Sequence, residues 1–117
     1  MIYRYTIPSI PPSNNQYIGR TNNWEYQKIK KEWAGFVSIF CRPKPKEPVK
    51  KATVNLIYHF RDKRRRDPDN YSGKMILDGL VKAGILIDDN FDVITLAVSS
   101  GKVSKTNPRT EIIIEES

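Results

Sequence analysis

The chain has 117 residues, a length that predicts a single domain over residues 1–117 with one hydrophobic core. Its formal net charge of +7 favours a polyanionic partner, most often nucleic acid, although solubility alone explains such a charge equally well. Cys41 is the only cysteine, which excludes an intrachain disulfide and a cysteine-rich zinc site. No run of about 18 apolar residues occurs, so we expect no membrane span and a cytoplasmic location.

The first half of the chain predicts a strand followed by a helix. Residues 2–7 alternate as in a strand and do not resemble a signal peptide. The prolines and asparagines of IPSIPPSNNQY then predict an irregular loop. Apolar residues at helical spacing predict a first helix over about residues 24–41, with Trp24 and Trp33 assigned to the core. The segment RPKPKEP, residues 42–48, is a basic connector rich in proline.

The second half predicts a strand, a helix and two further strands. Residues 49–60 alternate with a period of two. A second helix is predicted to begin near residues 70–72 and to end at Gly84, because glycine suits the left-handed position just after a helix. Residues 85–87 are either a short strand or an extended segment. Residues 93–98 and 110–115 have strand patterns, and we expect them to pair as a hairpin across the loop SSGKVSKTNPR.

The predicted order of elements is β-α-β-α-β-β, which is an α+β (mixed α/β) fold. We expect a mixed sheet of about four strands, closed by both main helices packing on it. The first two strands are each followed by a helix, a connection that permits parallel pairing with a later strand.

The segment RDKRRRDPDN, residues 61–70, brings two carboxylates together. Pro68 disfavours helical backbone at the preceding residue, so Asp67 is expected to be extended and to project its carboxylate to the same side as Asp69. Adjacent carboxylates repel unless a proton or a cation intervenes, and Mg²⁺ prefers such oxygen ligands. Asp88 and Asp89, beyond the second helix, can supply the missing ligand if the intervening chain returns.

Two other interpretations of the acidic pair were compared with a metal site. Asp69 or Asn70 can cap the second helix, which accounts for one acidic residue but not for both. A calcium loop of the EF-hand type would place Asp67, Asp69 and Asp78 at its positions 1, 3 and 12, but Ser72 stands where that loop requires glycine. The EF-hand interpretation is therefore not favoured.

Single residues near this segment have ordinary explanations as well. Lys74 lies four residues before Asp78, a spacing that fits a surface ion pair on a helix and a phosphate-neutralising role equally well. His59 is expected to be a strand residue, because a metal-activated water makes a histidine base unnecessary. Tyr17 and Tyr71 lie near turns, and their roles stay open.

A basic cluster directly precedes the acidic pair. Next to a metal site, such a cluster favours binding of a phosphodiester backbone. The predicted DNA-binding residues are Arg61, Lys63, Arg64, Arg65 and Arg66, extended by Lys102, Lys105 and Arg109 of the last loop.

Taken together, these motifs resemble the RusA family of Holliday-junction resolvases. The motifs PPSNNQY, RRRDPDN, a Lys-x-x-x-Asp-x-Leu helix ending in KAG, and LIDD follow in this order and cover nearly the whole chain. The resemblance implies a small homodimeric endodeoxyribonuclease of DNA recombination and repair. Such an enzyme requires Mg²⁺, for which Mn²⁺ substitutes, and resolves four-way DNA junctions by paired symmetric cuts. Whether it is bacterial or encoded by a phage or prophage stays open.

The resemblance also implies roles for individual residues. The catalytic, metal-binding carboxylates correspond to Asp67, Asp69 and Asp89, with Asp88 as a neighbouring candidate ligand. The functional lysine corresponds to Lys74 when the motif is aligned backwards from Asp78, but aligning forwards from Asn70 places Gly73 there, because this stretch is one residue longer than the family pattern.

The expected mechanism is metal-assisted hydrolysis of a phosphodiester bond. Two symmetric cuts require two sites, which a C₂ dimer supplies, with the N-terminal proline-rich loop and the first helix as candidate interfaces. Two alternatives stay open, namely a non-catalytic basic DNA-binding module and a nuclease of broader branched-DNA specificity.

Overall fold

The fold combines one four-stranded sheet with two helices, within the residues that the structure describes. The structure is a computed structural model, and it describes residues 1–14 and 24–117. The strands are β1 (Ile2–Ile7), β2 (Ala52–His59), β3 (Ile94–Ser100) and β4 (Arg109–Glu116). The helices are α1 (Trp24–Phe40) and α2 (Lys74–Lys82), so the predicted order β-α-β-α-β-β and the α+β fold class are confirmed.

The sheet has the strand order β1-β4-β2-β3. Strand β4 runs antiparallel to both of its neighbours, whereas β2 and β3 are parallel. The expected hairpin between β3 and β4 is therefore wrong, because β2 lies between them. Three alternate residues of β4, Thr110, Ile112 and Ile114, are fully buried, which suits a central strand. Most side chains of β3 are exposed, which suits an edge.

The connection through α2 explains why β2 and β3 are parallel. A helical crossover is the usual way to join two parallel strands, as the sequence pattern predicted for this part of the chain. Parallel pairing was expected for β1 as well, because a helix also follows it. That expectation is wrong, since β1 pairs antiparallel with β4.

Helix α2 is shorter than predicted at its start. Residues Pro68–Tyr71 form a 3-10 turn, and the N-cap of α2 is Gly73, whose φ is 80°. One interpretation of the sequence made Asp69 or Asn70 the cap of α2. That interpretation is wrong, because Gly73 occupies the N-cap position. At the other end Gly84 has a φ of 78°, so the predicted left-handed glycine is confirmed.

The core lies between the sheet and the two helices. Leu56, Ile76, Leu80 and Ile112 are fully buried there. Trp33 belongs to this core, but 71% of Trp24 is exposed, because it is the first residue of α1. Its assignment to the core is wrong.

Cys41 follows α1 directly and is buried in the same core. Burial raises the pKa of its thiol to about 12, so the side chain is a neutral apolar group near pH 7. Neither helix of the described ranges combines the length and the apolar character that crossing a membrane requires.

Candidate active site

The first part of the site is the acidic turn, defined as Asp67 and the 3-10 turn Pro68–Tyr71. Asp67 has φ −98° and ψ 137°, so the predicted extended backbone before Pro68 is confirmed. Asp69, however, lies inside the 3-10 turn. The premise that extended chain carries both carboxylates to one side is therefore wrong, because a 3-10 helix has about three residues per turn.

Both carboxylates of the acidic turn are exposed to solvent. The Asp67 Oδ1 atom lies 3.4 Å from Nε of Arg65, whose side chain is 90% exposed. An ion pair this exposed contributes little to stability, so the Asp67 carboxylate stays available to another cation.

Asn14 connects the N-terminal loop to the acidic turn. Its Nδ2 group donates hydrogen bonds to the carbonyl oxygen of Asp69, at 3.2 Å, and to Oγ of Ser72, at 3.0 Å. The sequence had predicted only an irregular loop for the segment that contains this asparagine. Its place in the motif PPSNNQY was the available sign of a functional role, but the partner residue Asp69 lies 55 residues away in the chain. The remainder of that motif, including Tyr17, lies outside the described residues.

The second part of the site follows α2. The chain returns as an extended segment in which Leu86 forms a parallel bridge with Val49, so residues 85–87 are an extended segment rather than a full strand. Asp88 and Asp89 come next. The Asp88 carboxylate accepts hydrogen bonds from the backbone N–H of Asp89, at 2.7 Å, and from Nδ2 of Asn90, at 3.2 Å.

Asp89 lies close to two other carboxylates. Desolvation raises its pKa above the ordinary value, and the neighbouring charges of Asp78 and Asp88 raise it further. Apart from the EF-hand interpretation, which was not favoured, sequence reasoning had paired Asp78 with Lys74 of its own helix. Among the ion pairs of the described residues, Asp78 instead pairs with Lys30 of α1, at 3.6 Å. The repulsion at Asp89 is of the kind that a bound cation relieves.

Lys74 is exposed and is the first residue of α2. A Cβ atom at the preceding residue, Gly73, would overlap Cδ1 of Leu56, so a side chain there would require Leu56 to move. Of the two alignments that the sequence allowed, only the one ending at Lys74 provides an amino group beside the acidic turn.

The predicted metal ligands do not form a closed group. Across residues 1–14 and 24–117, no three histidine, cysteine, aspartate or glutamate side chains are grouped so as to hold a metal ion. The donor chemistry nevertheless fits Mg²⁺, which keeps several waters and uses only one or two protein carboxylates together with substrate phosphates. The metal-binding roles of Asp67, Asp69, Asp88 and Asp89 stay predictions.

The basic cluster contains two kinds of residue. Arg61, Lys63, Arg64 and Arg65 are exposed, whereas the side chain of Arg66 is only 19% exposed. Arg66 donates from Nη2 to Oδ1 of Asp62, at 2.8 Å, and its guanidinium lies 4.3 Å from the centre of the Phe60 ring. Its Nη1 donates to two backbone carbonyls of the same loop. Arg66 therefore holds the loop that presents the other cations.

His59 is the last residue of β2, so the expectation of a strand residue is confirmed. It is buried, with Nδ1 at 3.2 Å from the carbonyl oxygen of Lys102 and Nε2 in contact with the carboxylate of Glu111. This contact connects β2 and β4 to the loop of residues 101–108, where Lys102 and Lys105 are exposed. Glu111 was missed in the sequence because nothing local distinguishes it from the other glutamates of β4.

The comparisons with known proteins agree with this arrangement. The family model for endodeoxyribonuclease RusA matches residues 9–115, a range that includes the acidic turn, α2 and the Asp88–Asp89 pair. A search of curated proteins finds no match. Because the family model covers nearly the whole chain, the protein belongs to the RusA endodeoxyribonuclease family.

Proposed function

We propose that this protein is a Mg²⁺-dependent endodeoxyribonuclease that resolves four-way (Holliday) DNA junctions by paired symmetric cuts, in DNA recombination and repair. The observation that carries the proposal is the family match over residues 9–115, which includes every acidic residue of the candidate site. The exposed cations beside the acidic turn support a DNA partner, since a phosphate backbone is best met by exposed arginine and lysine.

In this proposal the protein supplies oxygen ligands for the metal and cations for the phosphate. Asp67, Asp69 and Asp89 would hold one or two Mg²⁺ or Mn²⁺ ions, with Asp88 as an additional candidate ligand. The ion, when bound, supplies Lewis acidity at the scissile phosphate. Lys74, exposed at the start of α2, donates to a phosphate oxygen and stabilises the negative charge that develops during hydrolysis.

The exposed cations dock the DNA backbone beside the metal site. Arg64 and Arg65 act from the loop before the acidic turn, and Lys102 and Lys105 act from the loop between β3 and β4. Because these contacts go to phosphates, they orient the junction without reading its sequence.

A homodimer is part of the same proposal, because two symmetric cuts require two copies of the site. Exposed apolar side chains support α1 as one interface, as expected from the sequence: Trp24, Ile39 and Phe40 all lie on this helix and are exposed. Sedimentation at working concentration tests this part, and a stable monomer that still cuts both strands symmetrically would contradict it.

The proposed activity is tested on three synthetic DNAs of equal length. A mobile four-way junction, a Y-fork and a linear duplex are incubated with the protein, with and without Mg²⁺. Paired symmetric nicks in the junction alone, and only with Mg²⁺, are the expected result. Cutting of the Y-fork at a similar rate would indicate a broader branched-DNA nuclease, and metal-independent binding without cutting would indicate a DNA-binding module.

Replacing one ligand tests the assignment of the site. Asp69→Asn should reduce cleavage by about a hundredfold to a thousandfold, a loss typical of removing one electrostatic contact to the transition state. Junction binding should be unchanged or tighter, because repulsion of the phosphate falls. Glu47→Gln, at an exposed acid of the connector, is the matched control and should cleave normally. Full cleavage by Asp69→Asn with Mg²⁺ present would contradict the assignment.

A further inference from the structure

A groove bordered by lysines lies between helices α1 and α2. Its volume is about 670 Å³. The charged side chains of its walls are Lys28, Lys30 and Lys31 of α1, together with Asp78 and Lys82 of α2. We name it the lysine groove. Its described lining residues include none of the cations that the sequence predicted to bind DNA, so it is a separate basic surface.

The floor of the groove consists of small residues, which let the two helices approach closely. A Cβ atom at Gly79 would lie 2.9 Å from a methyl group of Val37 and 3.6 Å from the Cα atom of Ala34. Gly79 and Ala34 both line the groove. Because these floor residues are short and uncharged, the long lysine side chains beside them form its walls.

Positive charge exceeds negative charge in the groove. Asp78 is the one carboxylate among the described lining residues, and Lys30 already pairs with it, at 3.6 Å. Lys31 and Lys82 are exposed, and neither forms an ion pair with a described residue. The residues outside the described ranges, 15–23, contain no aspartate or glutamate. The groove therefore offers uncompensated positive charge to a partner.

The acidic residues of α1 lie away from the groove. Glu25 and Glu32 are about two helical turns apart, so they share one side of α1, and neither is a described lining residue. Lys28 precedes Glu32 by four residues, a spacing that suits an ion pair, yet no such pair forms among the described residues. Lys28 instead lies over the Trp24 ring, 5.6 Å from its centroid. A helix surface that serves only solubility does not require this separation of charges.

The groove begins beside the candidate active site. Lys74, Asp78 and Lys82 follow one another at intervals of four residues, so they lie along the same side of α2. At a rise of 1.5 Å per residue, Lys82 lies about 12 Å beyond Lys74 along the helix axis. The charge of Asp78 also raises the pKa of Asp89, so the groove wall and this proposed metal ligand are neighbours. A DNA strand held at Lys74 therefore has a continuous path into the groove.

The chemistry of the groove fits a phosphate backbone. Lysine ammonium groups are point charges on flexible stems, which neutralise phosphates without the planar, paired geometry by which arginine binds a guanine. The cations are exposed and spread over two helices, an arrangement that suits a polyanion with recurring charges better than one small anion. Along about 12 Å, each strand of a DNA duplex advances by about three or four nucleotides.

We propose that the lysine groove binds the phosphate backbone of the junction arm that continues from the scissile phosphate, over about three or four nucleotides. The proposal rests on the proposed function, because it takes the scissile phosphate to lie at Lys74. It adds a contact on the two helices to those made by the loops of residues 61–66 and 101–108. Ile39 and Phe40, which support the dimer interface, are not among the described lining residues, so α1 serves both purposes.

Salt dependence of binding tests the groove. Lys31→Gln and Lys82→Gln each remove one exposed cation, so the folded structure should be retained. Binding of a four-way junction is measured without added metal, so that the DNA stays intact. Each variant should reduce the slope of log affinity against log salt concentration by about 1. The loss of affinity relative to wild type should therefore grow about fourfold as salt is lowered from about 200 to 50 mM.

Arg4→Gln is the matched control. Arg4 is exposed on β1 and alternates with Tyr5 and Ile7, whose side chains belong to the core, so it lies on the face of the sheet that the helices do not cover. This variant removes one charge and should leave the slope nearly unchanged. Equal reductions by Lys82→Gln and Arg4→Gln would overturn the proposal, because net charge alone would then explain binding. Unchanged slopes in both groove variants would overturn it as well.

A second experiment locates the contact on the DNA. Junctions carry one neutral methylphosphonate at a time, at successive phosphates outward from the crossover on each strand, and binding is again measured without metal. Wild type should lose affinity at a short run of these phosphates on one arm. Lys82→Gln should lose little further affinity at one phosphate of that run, because the contact is already absent, whereas Arg4→Gln should lose as much as wild type.

Additive losses for Lys82→Gln at every phosphate would overturn the proposal. The result is independent of cutting, so the two proposals can fail separately. If the wild type cuts no junction with Mg²⁺ present, the proposed function fails by itself, and the methylphosphonate series still decides whether the groove contacts the backbone.

Discussion

At the scale of single residues, the site depends on side chains that hold loops in place. Arg66 is the clearest example, because its charge is directed towards Asp62 and the backbone of its own loop rather than towards solvent. Asp62 in turn accepts a hydrogen bond from the backbone N–H of Arg64. The arginine that borders the acidic turn therefore holds the basic loop in place, and its exposed neighbours are the residues that we propose contact DNA.

The contacts of Asp62 make the stability of the folded protein depend on pH. The backbone N–H of Arg64 and then the Arg66 side chain lower the pKa of Asp62 below its ordinary value. A carboxyl group whose pKa is lower in the folded than in the unfolded protein stabilises the folded state at pH values above its unfolded-state pKa. This contribution is lost as the pH falls through its folded-state pKa. Asp62→Asn should therefore lower the free energy of unfolding near pH 7, and the difference from wild type should shrink below about pH 4.

Urea denaturation at a series of pH values measures this difference. Asp92→Asn, at an exposed aspartate of the turn before β3, is the control, and its effect should not vary with pH in the same way. An Asp62→Asn effect of equal size at pH 7 and at pH 3 would show that the carboxylate charge is not the cause.

At the scale of elements, the start of α2 decides where the site residues stand. Gly73 separates the acidic turn from the helix with a positive φ, so that Asp69 belongs to a 3-10 turn and Lys74 begins α2. Leu56 of β2 lies against the Gly73 Cα, which places the start of α2 close to the sheet. One residue without a side chain therefore determines the placement of both Asp69 and Lys74.

Two glycines provide a matched test of this role. Gly73→Ala and Gly84→Ala both put a side chain at positive φ, which costs about 1–2 kcal/mol of stability in each case. Among the described atoms, a Cβ at Gly84 meets nothing within 4 Å, whereas a Cβ at Gly73 overlaps Leu56. Gly73→Ala should therefore lower the free energy of unfolding by more than Gly84→Ala, as measured by chemical denaturation. It should also reduce cleavage, because Lys74 moves. Equal losses of stability would contradict the close contact.

At the scale of the whole molecule, the acidic residues and the exposed cations belong to neighbouring segments. The basic loop of residues 61–66 directly precedes the acidic turn, and the loop of residues 101–108 is attached to the same end of the sheet through His59. Lys50 and Lys51 precede β2 and so lie at its opposite end, about 25 Å away for a strand of this length. Only part of the positive charge behind the net value of +7 therefore lies beside the acidic turn.

Salt dependence of DNA binding tests which cations contact the backbone. The double variant Arg64→Gln/Arg65→Gln should reduce the slope of log affinity against log salt concentration by about 2, since each phosphate contact contributes about 1. Lys50→Gln/Lys51→Gln removes the same charge at the other end of β2 and should leave the slope nearly unchanged. Binding of a four-way junction by the two variants, measured from about 50 to 200 mM salt, gives both slopes. Equal reductions would indicate that net charge, rather than location, governs binding.

The sequence by itself determined the features that depend on near neighbours in the chain. The alternation of residues 49–60 predicted the strand observed as β2, the proline at position 68 predicted extended backbone at Asp67, and the glycine at position 84 predicted the end of α2. The motif order was specific enough to identify the family. Each of these signals acts within a few residues, where backbone sterics and side-chain periodicity are sufficient.

Only the tertiary structure decided which segments meet. Strand β4 pairs with β1 and β2 in the centre of the sheet, and β2 lies between β4 and β3, so the two strands expected to form a hairpin do not meet. Asn14 donates to the carbonyl oxygen of Asp69 in the acidic turn, and the charge of Asp78 raises the pKa of Asp89. These contacts join residues that are distant in the chain, so they depend on how the helices and strands pack and not on any local pattern.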